Sequence, residues 1–146
     1  MSGAIPVYQT TGPARTVVET IKGGQLVEAR AAGKVGVAGA DSVVVLGVAT
    51  KDATPASTNQ NGTDAVTGLA ITNLSPVLST LTVACEGFWN LKAAGAIAFG
   101  ERVKAGAAGT VVKWIAADDS ADMIIGRCEA AGGIANGAYG LIKLAL

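Results

Sequence analysis

Apolar positions in this chain come in short runs broken by glycine, and strand patterns outnumber helical ones. Thr16-Val17-Val18-Glu19-Thr20-Ile21 is β-branched almost throughout, which suits a pleated surface and predicts a strand. Gly23-Gly24 turns the chain, Leu26-Val27-Glu28-Ala29 predicts the next strand, and Ala32-Gly33 turns it again. Val43-Val44-Val45-Leu46 is a continuous apolar run and predicts a fully buried strand. Gly47, just after it, predicts a bulge or a close backbone approach. From Thr80 to Glu86 the pattern alternates, with Leu81, Val83 and Cys85 on one face. Tyr139 to Leu146 reads as a closing strand entered through the Asn136-Gly137 turn. Helix fits only around Ile71–Leu78 or Leu91–Ala98, and Pro76 and Gly95 hold each to about two turns.

The pattern repeats within the chain. Ile21, Gly24, Val27, Ala31, Ala32, Gly33 and Val35 recur 76 positions later as Ile97, Gly100, Val103, Ala107, Ala108, Gly109 and Val111. Leu46-Gly47-Val48-Ala49 then matches Ile125-Gly126-Arg127-Cys128 after a slip of three residues. Two copies are too few for a solenoid. The expectation is a mainly β protein, a β-module used twice in one small barrel (β-clip or β-tulip-like) or sandwich, with little helix.

Residues 1–14 read as an extended arm, because Pro6 and Pro13 resist helix and sheet and Gly12 breaks the run. Such segments commonly fray. Ile5, Val7 and Tyr8 argue instead for an arm laid on a neighbouring subunit. Residues 15–146 then form a single β-domain, within which 51–64 is a polar surface loop, functional or mobile.

Half of the 146 residues are apolar and only 15% are charged, well below the share usual in soluble domains. Such a chain carries more apolar surface than one small domain readily hides, and points to association. Lys and Arg together equal Asp and Glu at 11 each, so no basic excess favours nucleic acid. No run approaches a membrane helix, and Met1 to Tyr8 lacks the pattern of a signal peptide. Synthesis and retention in the cytoplasm until assembly are expected.

The residues offer little chemistry. There is no histidine, which excludes Ser/His/Asp and Cys/His nucleophile arrangements. Cys85 and Cys128 are the only cysteines; they read as small buried side chains, with one disulfide possible if their strands are adjacent. Their spacing offers no metal site. Asp118, Asp119 and Asp122 lack the ligand order of a calcium loop and read as a solvated turn. Gly23-Gly24 and Gly132-Gly133 are turns rather than phosphate loops. Neither catalysis nor a cofactor is expected. Four of six aromatic residues fall between Glu86 and Ile115, and Phe88, Trp89, Phe99 and Trp114 are the candidate anchors of a core or a subunit interface.

Glu86-Gly87-Phe88-Trp89-Asn90-Leu91, followed by Ala93-Ala94-Gly95-Ala96-Ile97-Ala98-Phe99-Gly100-Glu101-Arg102-Val103, resembles a block found in capsid decoration, or cement, proteins of tailed bacteriophages. Ile124-Ile125-Gly126-Arg127, then Gly137 and Leu141-Ile142-Lys143-Leu144, is similar to their closing pattern. The likeness covers about residues 16–146, departing after Ala49 where the polar loop begins. It implies a small β-barrel with an N-terminal arm, a homotrimer on the outer capsid surface of the virion, and the major capsid protein as partner. Ile5, Pro6, Val7 and Tyr8 are then candidate capsid contacts. Nucleic acid and membrane are not expected partners. The alternatives are another virion component, such as a head-fibre base or a tail protein, and a small carbohydrate-binding β-barrel using Trp89 and Trp114.

Overall fold

A computed structural model describes residues 11–55, 66–68 and 78–146. Among them, ten strands make two five-stranded antiparallel sheets. The first contains β1 (Thr11–Thr16), β2 (Leu26–Ala29), β3 (Val35–Val37), β4 (Val45–Ala49) and β5 (Thr80–Ala84), in the order β1-β5-β4-β2-β3. The second contains β6 (Glu86–Lys92), β7 (Arg102–Ala105), β8 (Val111–Lys113), β9 (Gly126–Cys128) and β10 (Tyr139–Ala145), in the order β6-β10-β9-β7-β8. Among the described residues, helix is confined to three 3-10 turns at Ala31–Gly33, Ala107–Gly109 and Ala121–Met123. The mainly β expectation holds. The closed barrel does not form among the described residues: each sheet is open, with edges at β1 and β3 or at β6 and β8. A barrel needs an unbroken stagger of paired strands, and three-residue β3 and β8 offer too short a ladder to close one.

The two sheets are copies of one module. Val17 bridges Val35, and 76 positions on Ala93 bridges Val111; Ile21 bridges Ala53 as Ile97 bridges Ile134. Both Ala-Ala-Gly turns hold their central alanine in the left-handed region, Ala32 at φ 57° and Ala108 at φ 55°. In each turn the following glycine has φ 70°. The Lys22 amide donates to Gln25 Oε1 at 2.8 Å, and the Ala98 amide donates to Glu101 Oε2 at the same distance.

Each module closes with a strand contributed from further along the chain, β5 for the first and β10 for the second. β5 leads into β6 through Cys85 alone, so it finishes one sheet and delivers the chain to the other.

Successive strand residues point to opposite sheet faces, and the first sheet is buried on both. Val27, Val35, Ala49, Leu81 and Val83 pack with Val17, Ile21 and Ala53 in one cluster. On the other face Leu26, Ala38 and Val48 join a larger cluster with Leu91, Val103, Ile125, Ile142 and Leu144 of the second module. The second module's inner face therefore lies on the outer face of the first. A polar link reinforces the junction: Lys104 pairs with Asp119 of its own module and with Asp41 of the other, the latter at 2.6 Å. The Asp41 amide also donates to the Ala105 carbonyl at 3.0 Å.

Several strands fall away from their sequence-based bounds. The first strand runs Thr11–Thr16 rather than from Thr16 to Ile21, and it includes Pro13. Pro13 is accommodated because β1 is an edge strand with a break in register between Thr11 and Ala14. Val43 and Val44 are exposed, not buried, because β4 starts only at Val45. The alternating run from Thr80 divides at Cys85 between β5 and β6. Leu91 and Lys92 end β6 instead of opening a helix. The alternative helix at 71–77 and the loop at 56–64 lie outside the described residues.

Candidate interaction surface

β6, β10, β9 and β7 carry a straight row of exposed residues across the outer face of the second sheet. Phe88 stands opposite Lys143, Lys143 opposite Arg127, and Arg127 opposite Arg102. Trp114, just past β8, closes the row, its amide donating to the Arg102 carbonyl at 2.9 Å. The Arg102 guanidinium lies 5.6 Å from the Trp114 ring centroid, and the Lys143 ammonium 5.9 Å from that of Phe88. Both distances are within reach of a cation–π attraction. An open cleft of about 360 Å³ runs along the three cations of the row, with Ile124, Gly126, Glu129 and Ala145 completing its lining.

Neighbouring strands are about 4.8 Å apart, so the three cations are immediate neighbours. None of them joins an ion pair among the described residues. The ion pairs that do form lie elsewhere. Lys113 pairs with Glu101, and this contact with the Ala98 amide holds the Glu101 carboxyl below its ordinary value. Glu28 is buried; desolvation pushes its carboxyl up, but the Ser42 hydroxyl, the Gly39 amide and Arg30 together bring it below the usual range. Asp119 is held low by Lys104 and by the Ile115 amide, while Asp119 and then Asp41 raise the Lys104 ammonium.

The four aromatic candidates separate. Phe88 and Phe99 are 60% and 61% exposed, so neither is a core anchor. Both lie where alternation or a turn directs the side chain outward. Trp89 and Trp114 are half-buried. The Trp89 indole donates to the Glu86 carbonyl at 3.0 Å and the Trp114 indole to the Ser120 carbonyl at 2.9 Å. Each therefore spends its polar edge on a nearby backbone carbonyl rather than on a sugar hydroxyl. Tyr139, 69% exposed, and Leu141 extend the apolar area on the same face of β10.

Ile5, Pro6, Val7 and Tyr8 lie outside the described residues. Cys128 is buried and Cys85 half-buried, and they are not joined in a disulfide. Among the described residues no group of three or more Cys, Asp and Glu converges as a metal site. No described helix is long and apolar enough to cross a membrane. The cationic row escaped the sequence reading because its members lie 16 and 25 residues or more apart. A signal existed in the repeat: Val48 of the first module becomes Arg127 in the second.

No family model matches the chain, and no curated protein matches its sequence. Among solved structures, it is similar to the N base of the head fiber gp8.5 of bacteriophage phi29, with a TM-score of 0.58 at 14% identity. The match covers 90% of this chain and 91% of that one, so the likeness extends across the whole two-module architecture. The fold of this chain is thus similar to that of this head-fiber base.

Proposed function

We propose that this protein is a structural component of a bacteriophage virion, seated on the outside of the head, where it works by association rather than catalysis. The observation that carries this reading is the end-to-end fold likeness to a head-fiber base. The composition supports it, with few charges and large side chains such as Phe88, Phe99, Tyr139 and Leu141 left at the surface. In the decoration form of the proposal it is a homotrimer bridging major capsid proteins. A component that binds the assembled shell and not free subunits stabilises the shell by mass action.

The fibre-base form has equal support from the same likeness. In it, the module pair anchors on the shell and presents a further partner outward. The two forms differ in what they do to the head. Light scattering on the purified protein, alone and mixed with empty heads, tests the shared claim: a gain in particle mass is expected, and unchanged mass contradicts it. Differential scanning calorimetry of the same mixtures separates the forms, since decoration raises the temperature of shell disruption and a fibre base leaves it unchanged.

A further inference from the structure

The row Arg102–Arg127–Lys143 has a buried counterpart. In the first sheet, Leu26 stands opposite Val48, and Val48 opposite Ala84, in the same register on the three equivalent strands β2, β4 and β5. Ala38 donates its amide to Leu26 as Trp114 does to Arg102. Leu26, Ala38, Val48 and Ala84 are all at most 2% exposed. Leu26, Ala38 and Val48 are covered by the second module. The same face in one module is thus an apolar contact and in the other a row of exposed cations.

A second copy of this chain stacking in the same manner is ruled out as the occupant, since it would bury three adjacent charges under apolar side chains. Like charges directly opposite on neighbouring strands also destabilise a sheet. An anion lying along the row would relieve the arrangement. Nucleic acid fits poorly: the chain has no net positive charge, and the row supplies three cations where phosphate-backbone binders commonly use more. The inner faces of Phe88 and Trp114 are engaged by Lys143 and Arg102, so they are not open platforms for bases. Arginine guanidinium groups instead match carboxylates in a forked geometry.

We propose that this face docks a short acidic polypeptide segment of a partner protein, its carboxylates seated on Arg102, Arg127 and Lys143 between the Phe88 and Trp114 rings. The inference stands on this geometry and does not require the virion reading. The test is fluorescence anisotropy with a labelled peptide of alternating Glu and Ser, its Gln-Ser counterpart, and a labelled oligothymidylate. The Glu peptide should bind, weaken with added salt, and lose about fivefold in affinity with Arg127→Gln or Lys143→Gln, the scale of one partly solvated ion pair. Lys22→Gln, a charge that does not line this cleft, should leave binding unchanged. Equal loss from Lys22→Gln, no binding of the Glu peptide, or tighter binding of oligothymidylate would each overturn the proposal. Circular dichroism of each variant confirms that a loss of binding is not a loss of fold.

Discussion

Gly47 and Gly126 show how closely single residues set the packing of both modules. A Cβ on Gly47 would lie 2.1 Å from the Ala84 carbonyl oxygen, and one on Gly126 would lie 2.2 Å from that of Lys143. Gly47 adds a φ of 147°, which L side chains rarely adopt. The neighbour in each case is backbone of the closing strand, which cannot turn aside as a side chain can. Gly47→Ala and Gly126→Ala should each cost about 2 kcal/mol or more in a urea titration, by overpacking. Gly132→Ala, with open space around it, should stay within about 0.5 kcal/mol. The close approach at Gly47 was legible in its place after an apolar run. The exposure of Phe88 and Phe99 was not, because aromatic content signals a contact without saying whether the contact lies inside the chain or beyond it.

At the scale of elements, β2 and β10 were readable because their composition and turns agree with their pairing. β1 was misplaced because Pro13 forbids a central strand but not an edge strand at a register break. Val43 and Val44 misled because hydrophobicity gives burial only when a sheet position accompanies it. The cationic row is a property of register that only paired strands reveal. Arg127→Val should therefore raise stability by about 0.5 kcal/mol, by relieving like charges across β7, β9 and β10. The reverse exchange, Val48→Arg, should cost more than about 3 kcal/mol, since it buries a charge between the modules. Denaturant midpoints of the two variants check both signs.

Across the whole molecule, two copies of one module are joined by an apolar face and by the Asp41–Lys104–Asp119 link. Asp119 has a folded-state value below its unfolded one, so its stabilisation is present above the unfolded value. It is lost as pH falls through the lowered one. Lys104→Met should thus destabilise clearly at neutral pH, and the difference from the parent should shrink below about pH 4, where carboxylates take up protons. Thermal melts of both proteins across that range are the check. A penalty that grows on acidification would contradict the assignment. The repeat made this two-part organisation visible in the sequence. That the halves stack as open sheets, rather than closing one barrel, depends on Leu26, Ala38 and Val48 finding partners in the other half.

The central proposal is that this two-module β protein seats on the outside of a viral head. Cryo-electron microscopy of purified empty heads incubated with the protein tests this most directly. It predicts added density of this fold at symmetry-related positions on the outer surface. Heads with an unaltered exterior at saturating protein would contradict it.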